Sequence, residues 1–343
     1  MSKFSRSTME RSVYGPLSRQ AGDPSVLLGS LFGEDVALVD TGSGLVASHV
    51  DPIVGASEGL GRLAVHVACN DIAAGGIRPR WAQLLVLVPD EGDGDILKDI
   101  MEDAVKAAQE ISVTIVGGHS GYTSALSRPL AAVTAFGSAE PGQMVSTGGA
   151  SEGDVVCVTR GVGLEGTAIL AWDYPEVCRS KGLPEGDIAE ARSLADRLSV
   201  VEEALKLASL GPTAMHDPTR GGVLEAMCEM AQGAGLSFRI DGDALPISET
   251  VDSFSRAFDF DPMRMISSGA LVVTLPGEAV ERAGAELESI APLYPVGVVE
   301  RGTGVTITSS SGDRFYEGPE PDFDELARLQ AYISCEKRQK LVH

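Results

Sequence analysis

The sequence lacks any apolar run long enough to span a membrane, and its opening residues, MSKFSRSTMERSVYGPL, contain no apolar signal core. We therefore expect a cytoplasmic protein without a membrane partner. Basic residues are also scarce, because only 27 lysines and arginines stand against 49 acidic residues, for a formal net charge of −22. Such an acidic surface repels nucleic acid and argues against a nucleic-acid-binding role.

Cysteines are few, odd in number and scattered, and no two of them form a C-x-x-C pair. This spacing argues against both a disulfide framework and a zinc site, and it favours reduced thiols in the core. The five are Cys69, Cys157, Cys178, Cys228 and Cys335. The dispersed acidic residues suit a high-salt cytoplasm, with ordinary acidic solubility as the alternative.

The overall composition, with 43% hydrophobic and 22% charged residues, is that of a soluble globular protein. The chain is long enough for two domains. Strand-like and helical segments alternate in an α/β manner, and the turn-rich stretch EPGQMVSTGGASEGD marks the best domain boundary. We predict an N-terminal arm over 1–30, domains over 31–145 and 151–320, and a tail over 321–343. Besides the amphipathic helix described next, helices are predicted over 58–74, 95–111, 165–171, 188–210 and 278–290.

The stretch AMHDPTRGGVLEAMCEMA places polar residues and two glycines directly before an amphipathic helix. One interpretation is helix capping by Thr219 or Asp217. The other is an anion site, because the free amides at a helix N-terminus attract phosphate and glycine permits its close approach. We favour the second interpretation, with Gly221 and Gly222 at the phosphate.

A carboxylate interrupts the apolar stripe of the helix EGLGRLAVHVACNDIAAGG, at Asp71. A buried carboxylate needs a partner, since an unpaired buried charge is very costly. The alternatives are a solvent-facing end of the stripe, an ion pair with Arg78 or Arg80, or a metal ligand with Asn70 beside it.

Other oxygen ligands and a glycine pair extend the candidate site. Asp35 and Asp51 lie at predicted strand ends, and together with Asp71 and Asp217 they could form the oxygen-rich cluster that Mg²⁺ prefers when it holds a polyphosphate. A predicted glycine turn, Gly117–Ser120, follows the strand-like TIV and offers a second backbone approach to phosphate. Together these features favour nucleotide binding.

These motifs, in this order, resemble those of one superfamily. FGEDVALV and ASHVDPIVG are similar to its two acidic segments, ACNDIAAGGIRPRW to its Asn-Asp helix, TIVGGHS to its glycine turn and AMHDPTRGGVLEAM to the start of its C-terminal helix. The superfamily comprises aminoimidazole ribonucleotide (AIR) synthetase, HypE-type hydrogenase maturation protein, thiamine-monophosphate kinase and selenophosphate synthetase. The Asp-Pro-Thr-Arg-Gly-Gly run most resembles the maturation proteins.

The resemblance implies a two-domain α/β fold, with N-terminal domains pairing into a barrel-like sheet in a homodimer and ATP in an acidic cleft. It implies Mg²⁺ ligands at Asp35, Asp51 and Asp71, and catalytic residues at Asp71, Asp217 and His119. It further implies nucleotide-binding residues at Asn70, Gly117, Gly118, Thr219, Arg220, Gly221 and Gly222. The implied chemistry activates an acceptor with ATP, by phosphoryl transfer or by dehydration through a phosphorylated intermediate.

The sequence also departs from individual members. Maturation proteins end in a reactive cysteine, whereas Cys335 is followed by eight residues, and His119 stands where maturation proteins and thiamine kinases have aspartate. We expect an ATP-dependent enzyme nearest the HypE branch, with an undetermined acceptor and a link to hydrogenase-type protein maturation. The alternatives are a non-catalytic nucleotide-binding scaffold that acts through a partner protein, and a thiamine-phosphate-kinase-like enzyme.

Overall fold

The computed structural model describes residues 6–19, 22–29, 33–34, 36–54, 59–320 and 323–340. The first of its two sheets is built from β1 Val26–Leu28, β2 Ala37–Asp40, β3 Leu45–Ile53, β4 Pro79–Val88, β5 Thr114–Tyr122 and β6 Leu130–Ala139. These strands lie in the order β1-β2-β3-β6-β4-β5. All neighbours are antiparallel except β4 and β5, which leaves β5 at one edge of the sheet.

The second sheet belongs to the C-terminal half. Its strands are β7 Val155–Thr159, β8 Ala214–His216, β9 Ser237–Asp241, β10 Val272–Leu275, β11 Leu293–Glu300, β12 Gly304–Thr308 and β13 Arg314–Tyr316. They lie in the order β13-β12-β9-β11-β7-β10-β8. The two sheets and their helices confirm the predicted mixed α/β architecture.

Helices flank both sheets. They are α1 Arg6–Met9, α2 Gly15–Leu17, α3 Leu60–Ala74, α4 Gly94–Glu110, α5 Leu164–Asp173, α6 Pro175–Ser180, α7 Glu185–Ser193, α8 Val201–Ala208, α9 Gly222–Ala234, α10 Glu249–Phe258, α11 Gly277–Leu287 and α12 Glu325–Lys340. A π-helical turn, Glu10–Tyr14, joins α1 to α2, and short 3₁₀ turns cover Leu194–Arg197, Gly242–Ala244 and Pro262–Arg264. Within the described residues, none of the helices has the length and apolarity needed to cross a membrane.

Helix α3 is the structural centre of the molecule. It packs on β3 and β6 of the first sheet, on α4 beside it and on α8 of the C-terminal half. Every residue of α3 except Arg62 is therefore buried, and one hydrophobic core runs from Ala82 and Val133 of the first sheet to Val273 and Leu275 of the second. A helix covered on all sides explains why a polar residue in α3 must find its partner inside the protein.

The first sheet has one covered face and one open face. Along β4, Leu84 and Val86 are buried under the helices, whereas Leu85 and Leu87 alternate with them and remain half-buried. Because Val50 of β3 is 60% exposed, the face opposite the helices is incompletely covered within the described residues.

Several sequence-based boundaries were wrong. The helix predicted over 188–210 is α7, a 3₁₀ turn and α8, and part of the predicted arm is helical over Arg6–Leu17. The last residues, CEKRQKLVH, were predicted to be frayed, but α12 continues through them to Lys340. The earlier part of α12 buries Leu326, Leu329 and Ile333 among C-terminal-domain helices. The described cysteines are reduced as expected, and all but Cys335 are buried.

Candidate functional site

Asp71 meets β3 at the centre of the molecule. His49 and Asp51 lie two residues apart on β3, opposite Ala135 and Val133, which are both buried, so the two side chains share the helix-facing side of the sheet. Nε2 of His49 lies 3.3 Å from Oδ2 of Asp71, whose side chain is 8% exposed. The buried carboxylate thus has an imidazole as neighbour.

The ion pair considered as an alternative for Asp71 is absent among the described residues. The guanidinium of Arg80 instead donates to Oγ of Ser138 at 3.1 Å and lies 4.6 Å from the centre of the Trp81 ring. Arg78 lines a separate cavity between the domains. The interpretation of Asp71 as one half of an arginine ion pair was therefore wrong.

The predicted magnesium site can be followed only in part, because Asp35 lies outside the described residues. Among the residues that the structure does describe, no group of three or more His, Cys, Asp or Glu side chains is arranged to hold a metal. Asp51 and Asp71 remain as the described carboxylates of the predicted set. They do not make an all-protein metal cage.

Asn70 has a role that the sequence did not predict. Its Nδ2 donates to the carbonyl of Leu198 at 2.8 Å, and its Oδ1 accepts from the amide of Val200 at 2.9 Å. The side chain is fully buried. Asn70 therefore fastens α3 to the loop before α8, and these contacts are with the protein rather than with a ligand. Nucleotide binding by Asn70 stays a prediction without support from this geometry.

The two glycines at the mouth of α9 are required by the backbone itself. Gly221 and Gly222 have φ angles of 76° and 65°, in the left-handed region that favours glycine. A Cβ on Gly222 would lie 2.4 Å from the carbonyl oxygen of Met263. Among the described residues, no hydrogen bond joins the side chain of Thr219 or Asp217 to the first amides of α9, so the capping interpretation for these two residues was wrong.

A carboxylate from the chain itself contacts the mouth of α9. Oδ2 of Asp324 accepts from the amide of Gly221 at 3.4 Å, while Oδ1 accepts from the amide of Ala327 in the first turn of α12 at 2.6 Å. The amide of Gly222 donates to the carbonyl of Thr219 at 3.1 Å. A phosphate at these amides would have to displace Asp324, so phosphate binding at Gly221 and Gly222 stays a prediction.

Glu165 is the most strongly perturbed carboxyl of the site. It lies on the apolar helix α5 and is 2% exposed, and burial raises its pKa to about 7. Arg220 acts to lower this pKa, whereas Asp51 and Asp324 act to raise it. Charges from both halves of the chain therefore act on Glu165, since Asp51 belongs to the first sheet and Arg220 to the C-terminal domain.

Two further predicted residues lie in the loop that carries Arg220. Asp217 follows β8 directly and is 1% exposed, and Thr219 is half-buried like Arg220. Next to Asp217, Nε2 of the buried His216 lies 2.8 Å from Oε2 of the buried Glu229 on α9. No carboxylate among the described residues lies within ion-pair distance of the Arg220 guanidinium, so this half-buried cation is available to an anionic ligand.

His119 lies elsewhere in the chain. The predicted glycine turn is wrong, because Thr114–Tyr122 is one continuous strand. Gly118 has a φ of 150°, and a Cβ there would lie 1.9 Å from the carbonyl oxygen of Leu84. His119 pairs with Leu85 and so lies on the open face, opposite the face that holds His49. Within one chain, the structure does not bring His119, Gly117 or Gly118 together with Asp71.

Sequence reasoning missed His49, Glu165 and Asp324. Glu165 had a usable signal, since it is an acidic residue in the apolar helical segment LEGTAILAW, the same pattern that singled out Asp71. His49 is two residues before Asp51 on a strand, which by itself places both side chains on one face. Asp324 had no local signal, because its partner Gly221 is 103 residues away.

Fold and site together define a two-domain α/β protein with Asp51 and Asp71 in the N-terminal domain and the half-buried Arg220 and buried Glu165 in the C-terminal domain. Residues 33–139 match the family model for the N-terminal domain of AIR synthase related proteins, and residues 151–310 match the model for the C-terminal domain. The chain belongs to the AIR synthase related family.

Two relatives show the breadth of the likeness in sequence. A Methanocaldococcus jannaschii protein, named for hydrogenase expression and formation, is 28% identical over 258 residues, which cover 73% of each chain. Carbamoyl dehydratase HypE of Rhodobacter capsulatus is 27% identical over 251 residues, which cover 71% of this chain and 70% of that protein.

Solved structures share the fold across nearly the whole chain. HypE in its complex with HypF has a TM-score of 0.73 at 22% identity, covering 91% of this chain and 99% of that one. HypE in complex with ATP has a TM-score of 0.71 at 22% identity, covering 95% and 97%. ThiL complexed with AMPPCP and TMP has a TM-score of 0.70 at 18% identity, covering 89% and 95%.

Proposed function

We propose that this protein binds Mg²⁺-ATP at the junction of its two domains and uses it to activate an acceptor, in a HypE-like maturation reaction. The proposal is supported by the half-buried Arg220 and by the buried Glu165, whose pKa is lowered by Arg220 of its own domain and raised by Asp51 of the N-terminal domain. A half-buried arginine without a carboxylate partner is a ready contact for a phosphate oxygen. Protein relatives named for carbamoyl dehydration and a HypE fold seen with ATP support this reading.

In the proposed site, few protein side chains would hold the Mg²⁺ ion. Mg²⁺ is commonly held by one or two carboxylates together with substrate phosphates rather than by a complete protein cage. Asp51 and Asp71 fit this mode, because they are acidic, lie on facing elements and are not part of a three-residue metal cluster among the described residues. When bound, Mg²⁺ would neutralise phosphate charge. We expect the metal to bind with the nucleotide and only weakly without it.

The chain's own groups supply orientation and charge. Arg220 would hold a phosphate oxygen, and His49 would orient the carboxylate of Asp71. Glu165 would remain largely protonated below pH 7, which keeps the negative charge around Arg220 low. Since chemistry with ATP depends mostly on positioning and on neutralised charge, these roles suit either phosphorylation or dehydration of the acceptor.

We further propose a homodimer that also contacts a partner protein. The open face of the first sheet presents Val50, Leu85 and Leu87 without a covering helix among the described residues, and a second copy would bury them. A HypE fold solved in complex with HypF suggests that a maturation partner docks on this family member too. Light scattering that shows a folded monomer able to bind nucleotide would contradict the dimer.

Calorimetric titration of Mg²⁺-ATP into Arg220→Gln tests the proposed site. We expect at least about a tenfold loss of affinity, which corresponds to about 1.4 kcal/mol. Stability should change little, since Arg220 makes no ion pair among the described residues. The control is Arg256→Gln, which removes an equal charge from a 72% exposed side chain on α10. Equal affinity in Arg220→Gln and the parent would remove Arg220 from the site.

Turnover separates the enzyme from a nucleotide-binding scaffold. Purified protein is incubated with Mg²⁺-ATP and carbamoylated or phosphorylatable acceptors, and the release of ADP or AMP is followed. Acceptor-dependent release that falls in Arg220→Gln supports an enzyme. Binding of ATP without turnover by any acceptor supports the scaffold.

A further inference from the structure

A second charged cavity lies between the domains, lined by residues other than those of the candidate ATP site. It has a volume of about 660 Å³. Four arginines line it: Arg62, Arg78, Arg160 and Arg197. The protein has 27 basic residues and a net charge of −22, so a cavity that collects four guanidinium groups is unusual for this surface.

Two of these arginines build the walls. Nη1 of Arg62 donates to both carboxylate oxygens of Glu110, at 2.8 and 2.6 Å. Arg160 pairs with Glu203, which is fully buried, and its Nη1 donates to the carbonyl of Arg197 at 2.7 Å. These contacts fix the wall of the cavity, because bidentate and buried charge pairs hold guanidinium groups in place.

The other two arginines remain without a counter-charge. Asp196 and Glu202 also line the cavity. Arg78 and Arg197 are exposed, and within the described residues no carboxylate lies within 4 Å of either guanidinium. Arg78 comes from the N-terminal domain and Arg197 from the C-terminal domain. An anion between them would therefore contact both domains at once.

Buried polar atoms in the same lining also lack partners. Among the described residues, Nε of Arg160 is buried without an acceptor and Nδ1 of His66 makes no hydrogen bond, whereas Nε2 of His66 lies 3.5 Å from the Glu110 carboxylate. Burial lowers the pKa of His66 to about 4, so its ring is neutral and carries one donor. Since such donors are costly to leave unsatisfied, the geometry calls for a ligand rich in acceptor oxygens.

Backbone strain marks the same place. Ser112 and Arg160 both have positive φ angles, 58° and 56°, and both line the cavity. Among the described non-glycine residues, Asp259 is the only other one with this conformation, and it ends α10. Residues held in sparsely populated backbone regions cluster at ligand sites, where the surrounding structure enforces them.

Hydrogen bonds from the buried helix α3 also hold the wall of the cavity. Asn70 holds the carbonyl of Leu198 and the amide of Val200, which alternate along the chain with the lining residues Arg197, Ser199 and Val201. His66 and Asn70 are four residues apart on α3 and so lie on one side of it. Asn70 thus fixes the backbone of this wall before any ligand arrives, which reduces the entropy that binding must overcome.

We propose that this cavity is a binding site for a small phosphate monoester, whose phosphate group is held between Arg78 and Arg197. Phosphate matches the guanidinium fork and offers acceptors to Arg160 and His66. The volume exceeds that of a phosphate ion, and Ile111, Ile290 and Pro292 give the remainder an apolar wall. The site is separate from the proposed ATP site, where Arg220 is the cation.

The test titrates inorganic phosphate and glycerol 3-phosphate into the full-length protein by calorimetry, with ionic strength held constant by sodium chloride. We expect millimolar or tighter binding of both, with the ester at least as tight as the ion. Arg78→Gln/Arg197→Gln should weaken binding by about tenfold or more. Its matched control, Arg239→Gln/Arg301→Gln, removes two exposed surface charges and should bind as the parent does.

A second variant separates this site from the ATP site. Arg220→Gln should retain the binding of both probes, because it leaves the cavity untouched. Loss of probe binding in Arg220→Gln would overturn the proposal by assigning the phosphate to the other site. Three other results would also overturn it. The parent could fail to bind either probe at about ten times the expected millimolar concentration, or it could bind the ion and not the ester. Finally, Arg78→Gln/Arg197→Gln could bind the probes as the parent does. Thermal melts of each variant verify that it is folded.

Discussion

Nε2 of His49 lies 3.3 Å from Oδ2 of Asp71, where strand β3 meets the buried helix α3. The contact explains how an aspartate is tolerated on a helix that is covered on all sides. It also orients the carboxylate towards the strand that carries Asp51, two residues after His49. The pair thus positions the Asp71 carboxylate for the metal and nucleotide site proposed above.

Glu165→Gln should change how stability depends on pH. The folded-state pKa of Glu165 is about 7 and its ordinary value is 4.5, so the parent loses stability from this group as pH rises through that window. The variant lacks the cost of burying a charge and should be more stable than the parent at pH 8, by up to roughly 3 kcal/mol. The advantage should vanish near pH 4.5.

Urea unfolding at pH 5, 6, 7 and 8 measures this difference. Glu102→Gln, a change at a side chain that is 67% exposed on α4, serves as the control and should show no such trend. A difference between Glu165→Gln and the parent that stays constant with pH would contradict the assignment.

Gly117→Ala and Gly118→Ala should differ sharply in stability. A Cβ at Gly117 meets no atom within 4 Å, whereas a Cβ at Gly118 would lie 1.9 Å from the carbonyl oxygen of Leu84 at a φ of 150°. We expect Gly118→Ala to lose at least about 2 kcal/mol and Gly117→Ala to unfold like the parent. Chemical denaturation checks both, and equal stability of the two variants would argue against the strand geometry of β5.

Asp324→Asn tests whether phosphate reaches the mouth of α9. Asparagine can still cap α12 through Ala327, but the negative charge beside Gly221 is removed. If a phosphate of ATP displaces this side chain, Mg²⁺-ATP affinity should rise by about threefold to tenfold. The measurement is calorimetric titration, with the exposed Asp313→Asn as control. Unchanged affinity would place the phosphates away from Gly221.

Local periodicity predicted the main helices well. The sequence placed the central helix over 58–74 and the next over 95–111, and the structure has them at Leu60–Ala74 and Gly94–Glu110. Apolar spacing within a segment is enough for such predictions. The α12 segment carried the same signal at Leu326, Leu329 and Ile333, but its polar surroundings concealed it.

The site was harder to predict because its determinants are distant in sequence. Position 222 requires glycine because a Cβ there would clash with the carbonyl oxygen of Met263, 41 positions later. Asn70 makes hydrogen bonds to backbone groups 128 and 130 residues away. A motif therefore identifies the correct region of the chain, but it does not show whether its residues bind a ligand or make contacts within the protein. Gly222 and Asn70 serve the fold in this structure, whereas Arg220 remains available to a ligand.

Calorimetric titration of Mg²⁺-ATP into the parent and Asp71→Asn tests whether Asp71 helps to bind the metal–nucleotide complex. Asparagine keeps the shape of Asp71 and removes one ligand charge. We expect affinity to fall by roughly ten- to a hundredfold, or about 1.4 to 2.7 kcal/mol, while a thermal melt without ligand shows little change or a small rise. The exposed Asp99→Asn on α4 should bind as the parent does. An Asp71→Asn protein that binds Mg²⁺-ATP as tightly as the parent would exclude Asp71 from the metal and nucleotide site.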